Sequence, residues 1–164
     1  MPETDAQRYE RLVGRLIDEI RKRVPTLSAS RLQIGGKCHI KGASNFSHQI
    51  DVAVESPNHI VLVECKHWTK KIRVQEVLVL RGRQADIVGA NPGCQVEALF
   101  ATKVGATRDA RLLAKYFGFD LGVVLSESDF ALRVARHLAV GVSDGARASD
   151  QAEAVIVRPS QRPS

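Results

Sequence analysis

Nowhere does the chain hold an apolar run approaching the roughly 18 residues that a membrane-spanning helix requires, so no bilayer-crossing segment of that kind is expected. Met1 to Arg15 is charged where a secretory signal would be apolar, and a cytoplasmic protein with no membrane partner is therefore expected. Cysteine is scarce. Cys38, Cys65 and Cys94 are odd in number, far apart and without a C-x-x-C pair, which argues against a disulfide framework and against a structural zinc site. Internal repeats and low-complexity blocks are also missing.

What is present is ordinary in bulk and basic in balance. The chain has 164 residues, 44% hydrophobic and 26% charged, the profile of one globular domain large enough to bury a core. Lys and Arg number 24 against 18 Asp and Glu, a net charge of +6. Such a balance favours a polyanionic partner, although many basic proteins bind no nucleic acid.

Tyr9, Leu12, Val13, Leu16, Ile17, Ile20 and Val24 recur at helical spacing and predict a helix from Asp5 to Val24, ended by Pro25. Leu32 to Ile40 is expected to be a strand interrupted by a bend at Gly35 and Gly36, and Lys41 to Ser47 a loop. Ile50, Val52 and Val54 alternate with Asp51, Ala53 and Glu55, which predicts a strand with one drier face. After a turn at Ser56-Pro57-Asn58-His59, Ile60 to Val63 is apolar throughout, as in a strand covered on both faces, and then ends in Glu64, Cys65 and Lys66. A helix follows over Arg73 to Val88 with its stripe at Val74, Val77, Leu78, Ala85 and Val88. Next come a strand over Val96 to Ala101, a helix over Thr107 to Phe117 closed by Gly118, and a strand over Leu121 to Leu125. Ser126 and Asp129 predict a last helix through Leu138. One α/β domain with a central mixed sheet flanked by helices is the expected architecture, over 1–140, with a C-terminal tail over 141–164.

The chemistry concentrates where the two central strands meet. A turn centred between Pro57 and Asn58 pairs Asp51 with Glu64, and partners so paired project to one side with Cβ atoms about 4.5 to 5.5 Å apart. Like charges placed there repel unless a cation or a proton lies between them. Lys66 shares the face of Glu64, and the Cys65 carbonyl lies beside both. Two carboxylates and a main-chain carbonyl are hard oxygen ligands suited to Mg²⁺, with Mn²⁺ able to substitute. A lysine beside them can orient a metal-activated water or stabilise charge on a phosphate. A plain surface ion pair would use the same residues, but the end of a strand buried on both faces is not open surface.

Gln49-Ile50-Asp51-Val52, followed across the turn by Val63-Glu64-Cys65-Lys66-His67-Trp68, resembles the PD-(D/E)XK nuclease superfamily, and the E-C-K-H-W form resembles its Mrr-type restriction endonuclease branch. A strand running into Leu99-Phe100-Ala101-Thr102 and an alanine-rich helix over Thr107 to Phe117 extend the likeness to Tyr9–Leu125. The resemblance implies a restriction-endonuclease-like α-β-β-β-α-β core that cleaves DNA phosphodiester bonds with Mg²⁺. In it Asp51 and Glu64 hold the metal and Lys66 assists the water. It also implies a glutamate from the first helix, matched here by Glu10, which flanks the apolar stripe and would equally suit a solvated helix edge. Ile50 stands where the superfamily's name has proline. No separate recognition domain is evident in the chain, so target selection is expected from the nuclease domain itself, from a homodimer or from a separate target-recognition chain. A junction resolvase and a non-catalytic nucleic-acid-binding module that keeps the fold are the rival readings.

Lys70, Lys71 and Arg73 would form a basic shoulder for a phosphate backbone, or a solvated loop. Arg81, a charge on an apolar stripe, would reach a phosphate or snorkel past the stripe's edge. His48 is expected to be a hydrogen-bonded structural histidine, and Cys65 a buried small side chain rather than a nucleophile.

Overall fold

The computed structural model describes residues 1–23, 30–66 and 70–123. Tyr9, Val13 and Ile17, spaced at four, are buried and make one side of helix α1 (Asp5–Arg23) apolar. Strand β1 (Arg31–Ile34) and a 3-10 turn over Gly35–Lys37 follow, then the short strands β2 (His39–Lys41) and β3 (Ser47–Gln49). The hairpin β4 (Val52–Ser56) and β5 (His59–Lys66) leads to helix α2 (Val74–Ala90), strand β6 (Gln95–Thr102), helix α3 (Arg108–Tyr116) and strand β7 (Asp120–Val123).

Five strands form the main sheet in the order β1-β4-β5-β6-β7, while β2 and β3 form a separate antiparallel pair. The β1–β4 and β4–β5 pairs are antiparallel, and β5–β6 and β6–β7 are parallel. Each parallel pair needs a crossover, supplied by α2 and α3. Val77, Leu80 and Ile87 of α2 and Ala110 and Ala114 of α3 cover the sheet face that carries Ala53, Ile60, Leu62, Ala98 and Phe100. On the opposite face α1 packs over Val52, Val54, Val61 and Val63. Covered on both sides, β5 is buried along its length except at Lys66. Gly14 permits the close approach of α1 to β1, because a Cβ there would collide with the side chain of Ile34. Among the described residues, no helix is long and apolar enough to cross a membrane.

The expected core order is present as α1, β1, β4, β5, α2 and β6, around a mixed sheet flanked by helices. Local differences have clear causes. The segment expected as one bent strand from Leu32 to Ile40 is two strands in different sheets, because the turn at Gly35, with φ +69°, redirects the chain. The loop expected to reach Ser47 stops earlier, since Ser47 pairs with Lys41 in β3–β2. Ile50 and Asp51 interrupt the strand expected across them, and Val52, Ala53 and Val54 are all buried, so β4 has no open face.

Helix α2 turns a different side inward from the one its apolar residues suggested. Val77, Leu80, Gln84 and Ile87 are buried, whereas Leu78 and Val88 are exposed. Gln84 holds a core position because its Nε2 donates to the Val96 carbonyl at 2.7 Å, which satisfies an otherwise costly buried amide. The expected helix over Ser126 to Leu138 and the tail over 141–164 lie outside the described residues.

Phe100 is fully buried at the centre of the crossover layer and meets Phe119 edge-on at 6.4 Å. Phe100→Ala should therefore cost about 3–5 kcal/mol of unfolding free energy in a urea titration. A loss below about 1 kcal/mol would mean that this layer is not the main core.

Candidate active site

The β4–β5 hairpin sets the geometry. Val52 pairs with Val63 and Ser56 with His59, so the next step outward brings Asp51 opposite Glu64, the register expected from the turn. Asp51 stands at a bend beyond the ladder and is fixed twice. Its carbonyl accepts from the Gly35 N–H at 2.6 Å, and its Oδ2 accepts from the Cys65 N–H at 2.7 Å. The 3-10 turn after β1 thus holds the Asp51 main chain, and the end of β5 holds its carboxylate.

Glu64 is only 8% exposed, and a carboxylate so placed needs compensation. Lys66 Nζ donates to its Oε1 at 2.6 Å, and Arg83 Nη1, from α2, donates to its Oε2 at 3.1 Å. From the other layer Glu10 brings a third acid within electrostatic reach. Burial raises the Glu10 carboxyl, Glu64 raises it further, and Lys66 partly offsets both. Asp51 is raised to about 7, chiefly by burial and next by the charge of Glu64; the Cys65 N–H and Lys66 lower it, and Glu10 adds to the rise. Burial pushes the Cys65 thiol well up, which suits a packed side chain and not a nucleophile.

Asp51, Glu64, Lys66 and Glu10 therefore share one electrostatic environment at the carboxyl end of β5. Among the described residues, no three His, Cys, Asp or Glu side chains already converge as a metal cage. The two opposed carboxylates, with the Cys65 carbonyl, could hold a hard cation such as Mg²⁺, which keeps several waters where protein ligands are few. Mutual repulsion, which raises Asp51 and Glu10, is also what a divalent cation would relieve.

The basic run is pinned to the same end of the sheet. Ile72 is buried and bridges to Ala106; its N–H donates to the Gly105 carbonyl at 3.0 Å and its carbonyl accepts from Thr107 at 2.9 Å. Lys70, Lys71 and Arg73 around it are exposed, on a segment docked beside the 103–108 loop, which adds Lys103 and Arg108. Arg73 also caps α2, its N–H donating to Glu76 Oε2 at 2.9 Å. His67 and Trp68 of the motif lie outside the described residues.

Arg81 is brought elsewhere. Its guanidinium lies 5.4 Å from the centre of the Phe117 ring and donates to Gln84 Oε1 at 2.7 Å, roughly 200° around α2 from Arg83. Arg83 is the residue that sequence reasoning missed. Its signal was present, since it stands one turn from both Leu80 and Ile87, but that buried stripe was not the one the apolar pattern suggested. His48 is hydrogen-bonded to Asp86 Oδ2 at 2.7 Å, which Ser44 Oγ also reaches at 2.6 Å, as a structural histidine should be.

A family model described as NERD, nuclease-related domain, matches residues 6–100, which include Glu10, Asp51, Glu64, Lys66 and Arg83. No curated protein matches the chain in sequence. The chain is similar to solved structures, of which AF1548 and VC1899 share its fold. The protein of unknown function AF1548 is 17% identical with a TM-score of 0.52, covering 69% of this chain and 56% of its own. VC1899 from Vibrio cholerae is 20% identical with a TM-score of 0.56, covering 77% of this chain and 32% of its own. A repair endonuclease from Pyrococcus abyssi is 16% identical with a TM-score of 0.45, covering 74% of this chain and 46% of its own. The chain thus spans about half and about a third of the length of the first two.

The Asp51 carboxyl is raised from 3.8 to about 7, so its stabilising contribution is full below the lower value and is lost as pH rises through the upper one. In EDTA, the parent should lose thermal stability between about pH 4 and pH 7 relative to Asp51→Asn, whose neutral amide has no charge to repel. Parallel pH profiles in scanning fluorimetry would contradict this placement of Asp51.

Proposed function

The chain belongs to the NERD (nuclease-related domain) family, and from that membership we propose that it is a Mg²⁺-dependent DNA endonuclease that hydrolyses phosphodiester bonds, acting in the cytoplasm. The observation that carries the reading is the meeting of Asp51, Glu64 and Lys66 at the end of a strand buried on both faces. Paired acids in such a place are costly unless they serve a cation.

Asp51 and Glu64, with the Cys65 carbonyl, would hold Mg²⁺ or Mn²⁺. When bound, the ion supplies an acidified water and neutralises charge on the phosphate. The Cys65 N–H keeps Asp51 turned toward Glu64. Lys66, at 2.6 Å from Glu64 Oε1, would orient that water and offset negative charge as the phosphate becomes pentacoordinate. Glu10, across the site from α2, would add a third acid as an auxiliary ligand. Lys70, Lys71 and Arg73 serve as contacts to the DNA backbone rather than readers of sequence.

Asp51→Ala, Glu64→Ala and Lys66→Ala should each lower DNA cleavage by at least about a hundredfold while leaving the circular dichroism spectrum unchanged. Full activity in either carboxylate variant would overturn the site.

Replacing Lys70, Lys71 and Arg73 together by Ala should weaken binding to unrelated duplexes alike. It should also flatten the slope of log K against log salt by up to about 0.9 for each phosphate no longer neutralised, measured in Ca²⁺ to suppress cleavage. Parallel slopes for variant and parent would make this segment plain solvated surface.

A further inference from the structure

Of the two cations on Glu64 among the described residues, Lys66 belongs to the same strand and Arg83 does not. Lys66 sits two residues away at 2.6 Å with a side chain 15% exposed; Arg83 reaches in from α2 at 3.1 Å with a side chain 30% exposed. The Arg83 contact is thus the longer and wetter of the two. Beside it lies a cavity of about 210 Å³, lined by Glu64, Lys66, Gln75 and Glu76 among others, with room for several waters or one phosphodiester group.

A guanidinium fork matches a carboxylate and a phosphate equally well, and it stays charged at every relevant pH. Any divalent cation placed on Glu64 must compete with the positive charges already there. We propose that Arg83 is an exchangeable counter-ion: it holds the Glu64 carboxylate until a divalent cation takes its place, and then turns its guanidinium to a DNA phosphate in the adjoining cavity. The inference rests on the metal and DNA reading above and adds to it an order of events. Arg83 is in this sense a positioning residue that becomes a phosphate contact. Arg81 cannot take the same part, since it is engaged with Phe117 and Gln84 on another side of α2.

The exchange gives substitution of Arg83 opposite effects on its two ligands. Arg83→Met should bind Mg²⁺ about three- to tenfold more tightly in calorimetry, because one competing charge is gone. The same variant should bind a labelled duplex about three- to tenfold more weakly in Ca²⁺, with a salt slope smaller by up to about 0.9. In EDTA, where Arg83 stays on Glu64, its duplex affinity should equal the parent's. Arg83→Lys should keep the parent's Mg²⁺ affinity and recover part of its duplex affinity in Ca²⁺, since it retains the charge without the fork, and Arg83→Gln should follow Arg83→Met. Unchanged or weaker Mg²⁺ binding by Arg83→Met, or equal loss of DNA affinity in Ca²⁺ and EDTA, would overturn the exchange while leaving the nuclease reading intact. If both uncharged variants fail to fold, the role is structural and the exchange is overturned. A parent that binds no divalent cation would remove the metal reading itself and this inference with it.

Discussion

Repulsion between Asp51 and Glu64, held opposite each other at the end of a buried strand, is the constraint that the surroundings of the site answer. The hairpin register gives neither acid a way to separate, because a one-residue slip would turn every side chain of β4 to the other face of the sheet. Compensation therefore comes from outside the pair. A main-chain N–H reaches Asp51, and two cations reach the two oxygens of Glu64. Even so, Asp51 remains raised to about 7, first by its burial and then by the charge of Glu64.

The fold delivers these groups from three layers. The sheet supplies the acids and Lys66, α1 supplies Glu10, and α2 supplies Arg83. Each helix is held in register by apolar packing: Val13 and Ile17 on one side, Val77, Leu80 and Ile87 on the other. A second tether fixes α2. Asp86 accepts from the Ser44 hydroxyl and the Ser44 N–H and is bonded to His48; these bonds hold its carboxyl down at about 2 and tie the β2–β3 hairpin to the helix. Gly42 leaves the room this needs, as a Cβ there would collide with the Asp86 carboxylate. Movement of α2 would carry Arg83 away from Glu64, so this hydrogen-bonded staple contributes to the site without touching it.

Much of this was legible in the sequence because it rests on short-range rules. Period-two alternation and a four-residue turn were enough to place Asp51 opposite Glu64, and the run Ile60 to Val63 announced a strand without an open face. What escaped depends on long-range packing. Helix α2 carries apolar residues on two sides, and the side that turns inward packs Val77, Leu80 and Ile87 into the core with Gln84 bonded to the Val96 carbonyl. With that stripe misplaced, Arg83 could not be seen and Arg81 drew the attention instead. The separate β2–β3 pair was hidden for a similar reason, since the turn at Gly35 sends one continuous apolar pattern into two sheets.

The central claim is that the opposed carboxylates form a metal-dependent nuclease centre, and the most direct measurement is made on the unaltered protein. Supercoiled, linear and branched DNA are incubated with it in Mg²⁺ and in EDTA, and the products are resolved on gels. The account predicts strand cleavage in Mg²⁺, none in EDTA, and restoration of cleavage when Mg²⁺ is returned in excess. Cleavage confined to the branched substrate would narrow the activity to a junction resolvase. Cleavage of equal rate in EDTA, or none on any substrate in Mg²⁺ or Mn²⁺ by a protein that still binds DNA, would contradict it.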